Sequence, residues 1–239
     1  MAYQAIFKRY EIKYMMTKQQ KEQLLKVMAE HMALDEYGRT TICNLYFDTD
    51  SYRLIRRSIE KPAYKEKLRV RSYGTATKTS PVFVELKKKY EDVVYKRRIS
   101  MPENEAVKWL GGRHEIKHHT QISDEIDYVR SYYEGLKPVV YLSYEREAFY
   151  SKDGSDFRVT FDENILARET HLSLEAGAWG SSLLPRGMVL MELKTPGGIP
   201  LWMTEFLSAH HIYKTSFSKY GTAYETMIYP NREGVRKYA

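Results

Sequence analysis

Lysine and arginine recur at every second position in several segments of the sequence. In the segment 65–71, Lys65, Lys67, Arg69 and Arg71 alternate with other residues, so a strand would place all four on one face. Further pairs share a strand face in the same way: Glu11 with Lys13, Glu85 with Lys87, Lys96 with Arg98, Tyr144 with Arg146, Arg158 with Thr160, and Glu192 with Lys194. Guanidinium forks and ammonium groups match phosphate oxygens, so the pattern indicates a site for a polyanion. The glutamates among them would partly neutralise the cations and offer oxygen ligands to a divalent cation.

A solvated polar face is the ordinary alternative for any one of these strands, because antiparallel sheets often expose one side to water. The alternation extends over at least seven predicted strands, however, and the predicted helices have apolar faces that need a sheet to cover them. If the apolar strand faces pack against helices outside, the charged faces converge on one interior. A closed barrel of about eight strands would then enclose a basic lumen, whose cations repel one another unless a polyanion or water is bound.

The order of predicted elements favours an α+β fold with a mostly antiparallel sheet and helices packed outside it. Strands are predicted at 6–15, 41–47, 63–73, 81–89, 92–101, 138–151, 157–167, 171–176 and 189–195. Helices are predicted after an N-cap at Thr17, from Asp48 to Ile59, from Pro102 to Gly111, from Ser123 to Tyr133, after Pro200, and over 218–228, where the last helix closes one side of the barrel. No linker interrupts this order, so residues 1–239 are predicted to form a single domain.

Composition excludes several classes of protein. The 38 Lys and Arg against 31 Asp and Glu give a net charge of +7, which suggests an anionic partner without identifying it. A single cysteine rules out an internal disulfide framework and a cysteine-based zinc site. No apolar run approaches the roughly 18 residues of a membrane-spanning helix, and the N-terminus lacks the apolar core of a signal peptide. We therefore expect a cytoplasmic protein with no direct membrane span. The sequence also contains no P-loop, dinucleotide-binding glycine motif, nucleophile elbow or HExxH motif.

The ordered set of these segments resembles the VTC-type polyphosphate polymerase domain of the triphosphate tunnel metalloenzymes, over nearly the whole chain. The resemblance rests on short motifs: the opening strand 9–14, "YFD" at 46–48, "LRxRxYG" at 68–74, "xFVExK" at 82–87, the basic segment 95–98, "YxRxAF" at 144–149, "RVTxD" at 158–162, "xExK" at 191–194 and "KFSKY" at 216–220. In the last motif the chain departs from the family pattern, because Ser216 replaces the first basic residue and Lys214 lies two positions earlier.

The resemblance implies that ATP binds with its triphosphate in the tunnel and that its γ-phosphoryl group passes to a phosphate or polyphosphate end. It implies substrate-binding roles for Lys13, Arg69, Arg71, Lys87, Lys96, Arg98, Tyr144, Arg146, Arg158, Lys194, Ser218 and Lys219. Arg71, Arg146 and Lys219 of this set would be catalytic. Glu192 would hold Mn²⁺ or Mg²⁺, and Glu11 and Glu85 are further candidate ligands.

Two other functions fit the same residues. A triphosphate or nucleoside-triphosphate hydrolase of the same fold would differ only in using water as the acceptor. A non-catalytic polyphosphate-binding module would be favoured if Ser216 marks a loss of activity. An RNA-binding basic sheet fits less well, because carboxylates are interleaved with the cations, and no nucleic-acid partner is expected.

Overall fold

The computed structural model describes residues 10–91, 93–112, 115–116 and 119–230. Contacts between Cα atoms divide the chain into two compact units. Unit 1 comprises Met1–Thr41, Tyr144–Ile165 and Leu184–Phe217, and unit 2 comprises Ile42–Ser143, Leu166–Leu183 and Ser218–Ala239. That the whole chain acts as a single domain stays a prediction.

Eleven strands occur in the described residues: β1 (Tyr10–Thr17), β2 (Met32–Leu34), β3 (Thr40–Asp48), β4 (Tyr64–Tyr73), β5 (Pro81–Tyr90), β6 (Val93–Pro102), β7 (Lys137–Ser151), β8 (Arg158–Arg168), β9 (Ser181–Ser182), β10 (Met188–Thr195) and β11 (Lys214–Thr215). Six α-helices accompany them: α1 (Lys18–His31), α2 (Arg53–Ile59), α3 (Glu103–Leu110), α4 (Gln121–Tyr132), α5 (Leu201–Ala209) and α6 (Lys219–Ala223). A π-helical turn at Tyr224–Ile228 continues α6. The α+β class predicted from the sequence is confirmed.

Most predicted elements are found within a few residues of their expected bounds, and the differences have local causes. The strand predicted at 171–176 is wrong, because Leu174–Ala176 form a 3₁₀ turn whose first N–H group, on Glu175, donates to the Ser173 hydroxyl. The strands β2, β9 and β11 were not predicted, because two or three residues are too few to show a period. Residues 6–9 of the first predicted strand and Asp92 lie outside the described residues.

The strand order is open. In unit 1 the hydrogen-bonded order is β11-β1-β10-β8-β7, with β2 also paired to β7; in unit 2 it is β7-β3-β4-β5-β6, with β9 paired to β8. The order therefore ends at β11 and at β6, so the closed barrel of about eight strands is not confirmed among the described residues. Alternation along a strand predicts which face is polar, but it does not predict whether an edge strand finds a partner. The edge strand β11 is only two residues long and pairs with Lys13 and Tyr14 of β1.

In unit 2 the apolar strand faces pack against helices, as the sequence predicts. Leu45 of β3, Val70 of β4 and Val84 of β5 are fully buried in one cluster with Trp109 of α3 and Ile126 of α4. Covering this face with helices leaves the opposite face of the same strands to the alternating charged residues. The two faces are thus set by the period of two along each strand.

Unit 1 has the same construction. Tyr14 and Met16 of β1 and Met191 of β10 are buried with Leu24 of α1 and Met203 of α5. The helix α1 begins at a capping box, in which Thr17 accepts from the backbone of Gln20 and the Gln20 side chain accepts from the backbone of Thr17. The predicted N-cap at Thr17 is therefore confirmed.

A buried ion network also holds α1 on the sheet of unit 1. The Lys21 ammonium group lies 2.6 Å from Glu163 and contacts Glu147, and its Nζ atom is 5.2 Å from the centroid of the Phe161 ring. Lys21 is only 6% exposed and Glu163 is equally buried, so each charge depends on the other for compensation. This network lies on the helix side of the sheet and is separate from the charged strand faces described below.

The start of α2 depends on one buried carboxylate. Asp48 accepts hydrogen bonds from the backbone N–H groups of Leu54 and Ile55 and from the Tyr220 hydroxyl. The sequence predicts that the segment 48–50 caps a helix starting there, but the helix begins at Arg53 with Tyr52 at its N-cap position. The Asp48 carboxylate nevertheless accepts from N–H groups of the first helical turn. The same carboxylate attaches α6 to the rest of unit 2.

Candidate functional site

Four cationic side chains surround the buried carboxylate of Glu85 on the charged face of unit 2. Arg69 Nη2 lies 2.7 Å and Arg71 Nε 3.7 Å from Glu85 Oε2. Lys96 Nζ lies 2.6 Å and Arg98 Nε 3.5 Å from Glu85 Oε1. The pairing of β4, β5 and β6 produces this arrangement, because Glu85 is directly opposite Arg69 on one side and Arg98 on the other.

This cluster shifts the protonation equilibria of its members. Burial raises the pKa of the Glu85 carboxyl, but the charges of Arg69, Arg71 and Lys96 outweigh burial and hold it far below the usual carboxyl range. Desolvation lowers the pKa of Lys96 to about 8 despite its ion pair with Glu85, and the neighbouring arginines contribute to this shift. Because 41% of the Lys96 side chain is accessible to solvent, water weakens the shift. Glu85 therefore stays ionised at neutral pH, and the lysine is the more readily titrated partner.

Two neutral side chains on the neighbouring strand β3 position these arginines. The Asn44 side chain accepts from Arg71 Nε at 2.9 Å and donates to the backbone carbonyl of Leu142 at 3.1 Å. The Tyr46 hydroxyl accepts from Arg69 Nη1 at 2.9 Å. Arg71 is only 6% exposed, so its orientation is determined by these contacts.

Lysines continue the same face beyond the arginines. Cross-strand pairing places Lys67, Lys87 and Lys96 side by side on β4, β5 and β6, and it places Lys65 opposite Lys89. Desolvation lowers the pKa of Lys65, and the charges of Lys89, Lys61 and Lys87 lower it further. Like charges directly opposite each other destabilise a sheet, so this region favours an anionic ligand.

The beginning of α6 contributes to the charged face of unit 2. Lys67 Nζ donates to the hydroxyl of Ser218 at 2.9 Å, and the same hydroxyl caps α6 by accepting from the backbone of Gly221 at 3.1 Å. Lys219 is the first residue of that helix and lies close enough to Tyr46 for its charge to lower the pKa of the phenol. The structure therefore brings Ser218 and Lys219 to the same region as the strand cations. Ser216 is exposed.

A second cluster of charges lies on the polar strand face of unit 1, around Glu192 of β10. Lys13 Nζ lies 3.6 Å from Glu192 and 3.7 Å from Glu11, and it donates to the backbone carbonyl of Phe217 at 2.7 Å. Arg146 Nη2 lies 3.4 Å from Glu192, and Lys194 Nζ lies 4.0 Å from it. This cluster thus brings together five of the residues predicted to bind substrate or metal.

Asp162 anchors Arg146 within the cluster. The carboxylate accepts two parallel hydrogen bonds from the guanidinium group, at 2.6 and 2.7 Å. Burial lowers the pKa of Arg146, but the charge of Asp162 outweighs burial and raises it above the usual value. The Arg146 Cζ atom also lies 5.1 Å from the ring centroid of the buried Tyr144.

Arg158 and Thr160 differ in their positions. Arg158 is opposite Lys194 in the β8–β10 pairing, but its side chain is 55% exposed and pairs with Asp156 at 3.4 Å. The structure therefore does not bring Arg158 into the cluster around Glu192. Thr160 is opposite Glu192 and is 5% exposed, and among the described residues its hydroxyl oxygen has no hydrogen-bond partner.

The charges around each candidate metal ligand indicate whether its carboxylate suits a cation. Among the described residues, no group of three or more His, Cys, Asp or Glu side chains is arranged to hold a metal ion. Glu85 does not fit a cation site, because its two oxygens already contact four positive groups. Glu192 also has cationic neighbours, but they lie 3.4–4.0 Å away, whereas the shortest contacts of Glu85 are 2.6 and 2.7 Å. Glu11 approaches the same Lys13, so Glu192 and Glu11 together suit a hard divalent cation better than Glu85 does.

Sequence reasoning missed three residues of these clusters, namely Asn44, Tyr46 and Asp162. Signals for two of them were present, since Tyr46 and Asp162 lie within the "YFD" and "RVTxD" motifs. Asn44 gave no signal, because its role depends on the pairing of β3 with β4.

The fold resembles that of solved proteins at low sequence identity. A candidate adenylate cyclase from Bacillus halodurans matches with a TM-score of 0.55 and 16% identity, over 90% of this chain and 96% of its own. A candidate adenylyl cyclase from Hippeastrum, described as having a dominant triphosphatase activity, matches with a TM-score of 0.53 and 14% identity, over 89% of this chain and 93% of its own. These matches show a shared fold. Among curated proteins, none matches the chain.

The family model of the VTC domain matches residues 8–228. The chain therefore belongs to the VTC domain family, which confirms the resemblance found in its sequence. Within the described residues, no helix is both long and apolar enough to cross a membrane.

Replacing Glu85 by glutamine should destabilise the protein, because four cations would lose their shared counter-charge. We expect the free energy of unfolding to fall by about 3–5 kcal/mol in urea titrations at neutral pH. The folded-state pKa of Glu85 lies below its unfolded value, so its stabilisation is complete above the ordinary carboxyl range and is lost as the pH falls below it. The variant should therefore lose less stability on acidification than the wild type does.

The matched control for this change is Glu125→Gln. Glu125 lies on α4 and pairs with Arg97 and Lys88, but 23% of its side chain is exposed. Its replacement should cost about 1 kcal/mol or less. Equal losses for the two variants would contradict a special role for Glu85.

Thr160→Val should stabilise the unliganded protein, because valine has the same shape and removes a buried hydroxyl without a partner. We expect a gain of about 1 kcal/mol in the free energy of unfolding. Thr17→Val makes the same change at the N-cap of α1 and should instead cost about 1 kcal/mol. A loss of stability in Thr160→Val would mean that its hydroxyl is hydrogen-bonded in solution.

Proposed function

We propose that this chain synthesises polyphosphate from ATP, transferring the γ-phosphoryl group to a phosphate or to the end of a polyphosphate chain. The charged face of unit 2 carries this proposal. Six cations (Lys67, Arg69, Arg71, Lys87, Lys96 and Arg98) lie there on neighbouring strands with one carboxylate, Glu85. These six positive charges repel one another, and a bound chain of phosphates would offset that repulsion because it carries negative charge at each phosphate. The membership in the VTC domain family supports the same substrate class. A basic tunnel that encloses the substrate is part of this proposal.

The arginines and lysines would bind phosphate in different ways. Arg69, Arg71 and Arg98 offer planar forks that bind two phosphate oxygens at once, whereas lysines act as point charges. We assign catalytic roles to Arg71, Arg146 and Lys219, which would neutralise negative charge on the transferring group. The remaining substrate-binding assignments are Lys13, Lys87, Lys96, Tyr144, Arg158, Lys194 and Ser218.

Phosphoryl transfer requires little covalent chemistry from the protein. The bond between the γ-phosphorus and its bridging oxygen breaks, the acceptor oxygen forms the new bond, and ADP leaves with the electron pair. The acceptor phosphate is already an anion at neutral pH, so no general base is required. The contribution of this chain is to align the phosphates and to lower the repulsion between two anions.

Glu192 and Glu11 would hold Mn²⁺ or Mg²⁺ in this proposal. When bound, such an ion neutralises phosphate oxygens and raises the electrophilicity of phosphorus. Lys13 and Arg146 contact Glu192 and therefore help to orient its carboxylate. Glu85 is not proposed as a metal ligand, because its two oxygens already contact four cationic side chains.

A triphosphate hydrolase is the second candidate. The Hippeastrum protein of similar fold is described as a triphosphatase, which favours water as the acceptor in that protein. The same phosphate-binding residues would serve both reactions, since only the nucleophile differs. A binding module without turnover would use them as well.

The products decide between these functions. Incubation of the purified protein with ATP and Mn²⁺ should yield ADP and phosphate chains longer than triphosphate, resolved by gel electrophoresis and by ³¹P NMR. Orthophosphate as the sole phosphate product would establish the hydrolase instead. Tight binding of polyphosphate with no turnover would establish the binding module.

Substitutions in each cluster should lower turnover without unfolding the protein. Arg71→Lys keeps the charge but loses the fork held by Asn44, and we expect a loss of about 100-fold or more in kcat. Glu192→Gln should cause a similar loss and raise the Mn²⁺ concentration needed for half-maximal rate. Thermal melts report whether the fold is intact.

Two controls make the same chemical changes elsewhere. Arg186→Lys, just before β10, and Glu205→Gln on α5 alter exposed side chains outside both clusters and should leave turnover unchanged. Wild-type activity in Arg71→Lys would refute the role proposed for the cluster around Glu85, and wild-type activity in Glu192→Gln would refute the role proposed for the cluster around Glu192.

A further inference from the structure

Tyr46 lies within the charged face of unit 2 and is not among the residues assigned above. It is opposite Arg69 in the pairing of β3 with β4, and the Arg69 Cζ atom lies 5.7 Å from the centroid of its ring. The ring packs against that of Tyr220, with 4.8 Å between centroids. Tyr46 is only 6% exposed, so most of its side chain packs against protein atoms.

The hydrogen bonding of the Tyr46 hydroxyl is incomplete. A phenol oxygen can accept hydrogen bonds and can also donate its own proton. Within the described part of the chain, the hydroxyl has one hydrogen-bond partner, Arg69, and Arg69 is the donor. The phenolic proton therefore has no acceptor there, which is costly for a buried polar group.

The groups that face this hydroxyl come from three elements. Arg69 and Arg71 of β4 and Lys219 of α6 are all cationic, and their charges outweigh burial to lower the pKa of the phenol. Tyr220 of α6 donates its own proton to Asp48 of β3, so neither of these two groups is directed to Tyr46. Arginine and lysine cannot accept a hydrogen bond. Three cations around a phenol that can donate a proton favour an anion as its acceptor.

We propose that the Tyr46 hydroxyl donates a hydrogen bond to a phosphoryl oxygen of the polyanion bound on this face. The inference rests on the proposed function, because it takes the ligand to be a phosphate chain. In this arrangement one side chain joins two partners: the phenol accepts from Arg69 and donates to the phosphate that Arg69 also binds. Tyr46 is thus a binding residue and a positioning residue for Arg69.

Tripolyphosphate binding measured by isothermal titration calorimetry tests this role directly. Tyr46→Phe keeps the ring on Tyr220 but removes the donor, and we expect affinity to fall about 10- to 100-fold. Tyr224→Phe removes a hydroxyl from a buried tyrosine of the same apolar cluster and should leave affinity unchanged. If wild-type protein does not bind tripolyphosphate, the proposed function itself fails. If wild type binds and Tyr46→Phe binds equally well, only the role of Tyr46 fails.

A purely structural role of Tyr46 in holding Arg69 requires a separate measurement. Replacing Tyr46 by 3-fluorotyrosine makes the phenol more acidic, so it donates more strongly and accepts more weakly. At a pH where the phenol stays protonated, donation to phosphate predicts tighter binding of tripolyphosphate than in the wild type. A phenol that only accepts from Arg69 predicts weaker binding, and weaker or unchanged affinity would overturn the inference.

Discussion

The contacts of Glu85 with Arg69, Arg71, Lys96 and Arg98 are the interaction on which the charged face of unit 2 depends. Three neighbouring strands carry cations at paired positions, and their mutual repulsion opposes the sheet that brings them together. A single carboxylate, 1% exposed, compensates them at the centre. Because Glu85 neutralises only part of this charge, the face can be stable without a ligand and still attract one. Complete neutralisation would remove the electrostatic attraction of this face for an anion.

The polar face is available for this purpose because the apolar face of the same strands is satisfied by helices. Val70 and Val84 are buried with Trp109, while the adjacent Arg69, Arg71 and Glu85 point to the other side. Each strand therefore contributes to the core and to the site through alternate residues. A shift of register by one residue would exchange these faces, so the stability of the core fixes the geometry of the cations.

Strand faces and most elements could be predicted because they depend on local periodicity. The alternation in Lys67, Arg69 and Arg71 correctly placed these residues on one face, opposite Leu68 and Val70. Strand order and closure could not be predicted in this way, because an open or closed sheet has the same alternation. The supporting contacts of Asn44 and Asp162 depend on which strands pair. Glu85 was expected to be a metal ligand, and only the distances to four cations showed why it is unsuited to that role.

The two clusters differ in their charge balance, and this difference indicates different tasks. On the polar face of unit 1, Lys13, Arg146 and Lys194 are matched by Glu11, Asp162 and Glu192. Because its charges are balanced, the cluster of unit 1 has little electrostatic attraction for an anion alone. An anion bound together with a divalent cation would change the net charge of the cluster little. The face of unit 2 has a cationic excess and gains from the anion directly.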